Sequence, residues 1–212
     1  MVNNFKIYKN FNLSEKDKGA IILIGNFDGL HRGHQKLFNK AKNFKKKLKL
    51  KIGVVTFDPI PKMFFKKLHN YRLSNFDQKI QLLKKNYVDF IVNKKFNTKF
   101  SKISCLDFIK KILFNKIKPK YIFVSDNFRF GYKRAGDIKL LKSLEENYNY
   151  KIINPSPLKS KKLVISSTLI RKNLEMGNLK KVKKFLGRNW CIEGRDERGR
   201  QLGKKIGFPT CN

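Results

Sequence analysis

Acidic residues are scarce: 15 Asp and Glu stand against 50 Lys and Arg, which leaves a formal charge of +35 at pH 7. Such an excess invites a nucleic-acid or anionic-membrane reading. The lysines, however, are spread through helical and loop stretches among many Asn, Ile and Phe, as a compositional bias produces, and do not form one block. Cys105, Cys191 and Cys211 are odd in number, widely spaced and without Cys-x-x-Cys pairing, so neither a disulfide framework nor a zinc site is expected. No run approaches the ~20 apolar residues of a membrane span, and Met1 to Phe11 has no continuous apolar segment after its first lysines. No membrane partner or secretory signal is therefore expected, and the expected location is the cytoplasm. Two phosphate cradles are also missing: there is no Gly-x-x-x-x-Gly-Lys-Ser/Thr loop, and no Gly-x-Gly-x-x-Gly follows a strand.

What is present is concentrated in residues 25–34: Gly25, Asn26, Phe27, Asp28, Gly29, Leu30, His31, Arg32, Gly33, His34. Five apolar residues, Ala20 to Ile24, lead in, and Leu37, Phe38, Ala41 and Phe44 recur behind at helical spacing, so the stretch reads as a strand-to-helix turn. Such a turn leaves backbone N–H groups free where the helix dipole favours an anion, and its glycines let a phosphate approach closely. Two of the chain's three histidines lie here, three positions apart, able to donate hydrogen bonds to an oxygen that gains charge. Arginine is rare, nine among the fifty basic residues, and six (Arg32, Arg129, Arg134, Arg171, Arg198, Arg200) fall in or beside the motifs. Its rigid fork suits a phosphate site better than lysine does.

Further along, Ile52 to Phe57 reads as a β-branched strand bounded by Asp58, Pro59, Ile60 and Pro61, with the prolines ending the ladder and holding the loop extended. Ser74 with Asp77 reads as the opening of an amphipathic helix through Lys85, followed by a strand at Val88 to Val92 and a helix from Ser104. Tyr121 to Val124 is a strand that delivers Ser125, Asp126, Asn127, Phe128, Arg129, Phe130 and Gly131, then Arg134, Ala135, Gly136 and Asp137. A helix begins at Asp137, a strand lies near Lys151 to Ile153, and Ser166, Ser167 and Thr168 stand at a helix entrance with Arg171 one turn in. Leu179 to Leu186 reads as a last helix, after which the texture becomes charged and Gly-rich. Alternating strands and helices predict an α/β, doubly wound, mainly parallel sheet with its site at the strands' carboxyl ends.

Gly-Asn-Phe-Asp-Gly-x-His-x-Gly-His-Gln resembles the prokaryotic bifunctional riboflavin kinase/FMN adenylyltransferase (FAD synthetase) branch of the nucleotidyltransferase superfamily. Thr56-Phe57-x-Pro59-x-Pro61 is similar to that family's Thr-Phe-x-Pro-x-Pro segment, with Ile60 where His is usual. Ser125 to Gly131 resembles its Gly-x-Asp/Asn-Phe-x-Phe-Gly loop, and Ile165 to Arg171 its Ile-Ser-Ser-Thr-x-Ile-Arg element. The resemblance implies a Rossmann-like nucleotidyltransferase domain over residues 1–186 and the incomplete start of a riboflavin kinase β-barrel over 187–212. It implies AMP transfer from ATP to FMN with Mg²⁺, the metal ligands being unassigned, and riboflavin as a substrate of the full-length family only. It implies catalytic His31, His34 and Arg171; ATP contacts from Gly25, Asn26, Phe27, Asp28, Gly33, Ser166, Ser167 and Thr168; and flavin contacts from Phe57, Pro59, Pro61, Asp126, Asn127 and Phe128. Gly207, Thr210 and Asn212 would be a kinase remnant, with the chain expected to be a fragment or to lack that half. Two alternatives remain open: a nucleotidyltransferase with another phosphate acceptor, and a non-catalytic basic RNA-binding protein.

Overall fold

A computed structural model describes residues 5–161 and 163–194. Its centre is β2 (Ile21–Ile24), four consecutive aliphatic residues buried on both faces, as a strand inside a parallel sheet must be. Beside it run β3 (Ile52–Asp58), β4 (Phe90–Lys95), β5 (Tyr121–Phe123) and β6 (Lys151–Ile153), and β1 (Lys6–Tyr8) closes one edge. The order is β1-β4-β3-β2-β5-β6, and every pairing is parallel. From β2 the chain winds outward through β3 and β4, then returns to β5 on the other side. The carboxyl ends of β2 and β5 therefore flank the point where strand order reverses, which is where open α/β sheets bind ligands.

Helices cover both faces. On one, α1 (Arg32–Leu48) and α3 (Phe76–Lys85) bury Leu37, Phe38, Ala41, Ile80 and Leu83 against Ile21, Leu23, Val54 and Ile91. On the other, α5 (Cys105–Asp107) runs into a π-helical stretch, Phe108–Ile117, which packs with α6 (Ile138–Ser143) on Ile22, Ile24, Val55 and Val92. A third cluster joins α7 (Ser167–Glu175) and α8 (Leu179–Leu186) to Leu73 and Ile165. The short α2 (Pro61–Lys66) and α4 (Thr98–Ser101) follow β3 and β4, and β7 (Lys159–Ser160) pairs with β8 (Leu163–Val164) as an antiparallel hairpin. No helix among the described residues is long and apolar enough to cross a membrane.

Four local expectations change, the first being the strand expected at Val88 to Val92, which runs over Phe90–Lys95 instead. The α3 N-cap is Asn75, which forms a capping box with Gln78, while the Ser74 hydroxyl is spent on the Gly29 N–H at 3.3 Å. Pro61 does not hold the loop extended: it occupies the first turn of α2, where its missing N–H costs nothing. The edge strand β1, three residues long with only Tyr8 buried, carries no strand pattern in the sequence. Beyond α8 the chain touches the turn after β2 and the segment before α3, with Arg188 donating to the Gly29 carbonyl at 2.8 Å and Trp190 Nε1 to that of Leu73 at 2.9 Å. Gly207, Thr210, Asn212, Arg198, Arg200 and any barrel start lie outside the described residues.

Candidate active site

The turn after β2 is tight because three residues in four take positive φ: Phe27 at 47°, Gly29 at 71° and Leu30 at 35°. It is anchored from outside by the Asp28 carboxylate, which accepts from the Leu73 N–H at 2.9 Å. α1 then starts with His31 as its N-cap, whose Nδ1 accepts from the His34 N–H at 3.3 Å. That bond leaves the His31 proton on Nε2. The two imidazoles stack, centroids 3.7 Å apart and 18° from parallel, and Phe27 braces His34 edge-on at 5.2 Å. Gly33 between them has a steric reason: a Cβ there would lie 3.0 Å from both His31 Nδ1 and the Ile165 carbonyl oxygen.

That close approach brings in α7. Ser167 Oγ donates to the Asp28 carbonyl at 3.0 Å. Arg171 pairs through Nη2 with the Asp28 carboxylate, donates from Nε to the Tyr71 carbonyl at 2.7 Å, and lies 3.6 Å over the Tyr71 ring. Ser166, the α7 N-cap, accepts from the Leu169 N–H at 3.2 Å. His31 is 4% exposed, and burial, with the charges of Arg171 and Arg188 behind it, pushes its pKa down to about 4. Burial, then the charges of His31 and Lys79, holds His34 well below the ordinary imidazole range. Both are neutral at pH 7, so each offers a single N–H.

A cavity of about 680 Å³ opens on this floor. Of the residues singled out from sequence, Gly25, Asn26, Phe27, Asp28, His34, Ser167, Thr168 and Arg171 line one part of it, and Phe57, Pro61, Asn127 and Phe128 another. His31, Gly33, Ser166, Pro59 and Asp126 are not on its wall; His31 backs His34, Ser166 is consumed by the helix cap, and Ile60 rather than Pro59 faces the space. Sequence reasoning missed Lys62, Tyr71, Phe96, Phe100 and Lys133, which also line it, and Lys79 behind it. Arg188, whose charge acts on His31, and Arg72, paired with Asp58, carry the signal that arginine's rarity gives. Tyr71 acts through its backbone carbonyl and ring, for which residue type alone gives no cue.

Residues 13–169 match the family model described as FAD synthetase. A relative from Buchnera aphidicola subsp. Acyrthosiphon pisum, named bifunctional riboflavin kinase/FMN adenylyltransferase, is 40% identical over 202 residues. The alignment covers 95% of this chain and 64% of that relative's length. A crystal structure of a Streptococcus pneumoniae protein, titled macrolide-efflux protein, superposes with TM-score 0.81 at 27% identity, covering 97% of this chain and 67% of the other. The fold alone is shared with pantoate-beta-alanine ligase from Francisella tularensis, at TM-score 0.51 and 20% identity, over 95% and 85% of the two chains.

Proposed function

The chain belongs to the FAD synthetase family, and from that premise we propose that it transfers AMP from ATP to FMN, giving FAD and pyrophosphate. One observation carries the reading: His34 from the first βα turn and Ser167, Thr168 and Arg171 from a distant helix entrance line the same cavity. In the proposed reaction an FMN phosphate oxygen attacks the α-phosphorus of ATP. A P–O bond forms there as the bond to the β-phosphate's bridging oxygen breaks, and pyrophosphate leaves with that electron pair. The FMN phosphate is already anionic at pH 7, so alignment and charge stabilisation suffice without a strong general base.

His34 donates to the α-phosphate, and His31 sets the position of His34 from behind. The N-terminus of α7, with Ser167, Thr168 and Arg171, takes the leaving pyrophosphate. Phe57, Ile60, Pro61, Asn127 and Phe128 hold the flavin side. Among the described residues no group of three or more His, Cys, Asp or Glu side chains could hold a metal. Asp28 and Asp58 are each paired with an arginine. The described residues therefore offer Mg²⁺ no carboxylate cage, and the ion would come with the nucleotide's phosphates, a usual arrangement for it, and would help to neutralise their charge. A cytoplasmic location, where ATP is available, goes with this reading.

Incubation with FMN, ATP and Mg²⁺ tests it. FAD and pyrophosphate are expected to appear in equal amounts. ATP consumption with pantetheine phosphate or nicotinamide mononucleotide but not FMN would move the activity to another acceptor. Tight, salt-sensitive RNA binding with no response to FMN would replace the enzyme reading altogether.

A further inference from the structure

Lys79 on α3 presents a charge that the site has not yet used. It is 6% exposed, and lysine is almost never buried without a partner. Among the described residues its Nζ makes one hydrogen bond, a long one of 3.4 Å to Thr56 Oγ1. Thr56, wholly buried on β3, in turn donates a hydrogen bond to the Asn26 carbonyl at 3.3 Å, and Asn26 lines the cavity. Asn93, the partner of Thr56 across β4, keeps a buried Oδ1 with no hydrogen bond, as does His34 Nδ1.

The charged groups that act on Lys79 are Asp28, Asp58 and Arg72. Asp28 is paired with Arg171 and Asp58 with Arg72, so both carboxylates are already matched by guanidinium groups. Three cations then face two anions, and His31 and His34 are neutral. The Asp58–Arg72 pair is partly exposed to solvent, whereas Lys79 and Asp28 are buried and Arg171 nearly so; the unmatched charge is thus the buried Lys79 ammonium, which is costly there unless an anion comes to it.

We propose that a phosphate of the bound nucleotide completes this cluster, and that Lys79 is a positioning residue for it, holding the Asn26 end of the turn through Thr56 while its charge draws the polyphosphate onto the cavity floor. The proposal rests on the nucleotide reading of the cavity given above. Burial lowers the Lys79 pKa, and an arriving phosphate raises it again.

Lys79→Met removes the charge and keeps an apolar stem. Without ligand, the variant is expected to melt no lower than the parent, because an unmatched buried charge has gone. ATP affinity by calorimetry is expected to fall at least tenfold, the ATP-induced rise in Tm to shrink with it, and the KM for FMN to stay unchanged. A folded Lys79→Met that binds ATP within twofold of the parent overturns the proposal. Should that variant fail to fold, NMR titration of labelled lysine in the parent decides instead: the Lys79 pKa rises when a non-hydrolysable ATP analogue is added, and an unmoved value overturns it. Failure of the reaction itself reads differently, as a parent that binds ATP but makes no FAD from FMN.

Discussion

The two parts of the cavity are built in opposite ways. Around Asp28 nearly every polar group is committed: its carboxylate to Leu73 and Arg171, its carbonyl to Ser167, and the neighbouring Gly29 carbonyl to Arg188. The aromatic part is held by ring contacts, Phe57 with Phe96 at 6.1 Å and with Phe100 at 5.6 Å, and Phe128 stacked on Phe130 at 5.6 Å. Its loop after β5 leaves Ser125, Asp126 and Asn127 exposed. Fixed donors are what a developing phosphate charge needs, since a preorganised site does not have to reorganise during the reaction. Planar apolar contacts tolerate small displacements, which suits binding a ring system that does not react.

If that contrast is right, damage to the polar part should appear in turnover and damage to the aromatic part in affinity. The largest effect is expected for His34→Ala, with kcat reduced on the order of 10²–10³ and little change in the KM for FMN, measured by steady-state FAD formation. Asp28→Ala comes next. It leaves the Arg171 charge buried without its partner and should cost about 3 kcal/mol in urea unfolding, with activity lost as α7 shifts. Acid sensitivity follows. Because His31 titrates near 4 in the fold and near 6.5 when unfolded, the unfolded chain binds more protons as pH falls below 6.5. The contribution from neutral His31 is full above pH 6.5 and lost towards pH 4, at most about 3 kcal/mol; His31→Gln should flatten that part of the stability profile. The smallest effect is expected for Phe57→Leu, a several-fold rise in the KM for FMN with kcat preserved. A Phe57→Leu variant that lost kcat instead would break the contrast.

The polar part was also the more legible in sequence. Gly33 and the two histidines announced a turn whose shape follows from sterics, and Ser166 to Arg171 announced a capped helix. Leu179 to Leu186 emerged with the bounds that its apolar spacing gave. What stayed hidden depends on long-range partners. Ser74 and Asn75 are equally good caps, and Ser74 was claimed by Gly29, 45 positions away. Nothing in the sequence sets Lys79 apart from the many other lysines, and its burial depends on where α3 sits beside Thr56 of β3 and the turn after β2. The aromatic wall was half visible: Phe57 sits in a recognisable strand end, whereas Phe96 and Phe100 follow β4 in a stretch with no motif, in a chain holding nineteen Phe.

The most direct test of the account is a crystal structure with a non-hydrolysable ATP analogue. The account predicts one nucleotide whose α-phosphate lies within hydrogen-bond distance of His34 and whose distal phosphates lie at the N–H groups and hydroxyls of Ser167 and Thr168. A nucleotide bound with its phosphates away from both groups, or touching one of them only, would contradict it.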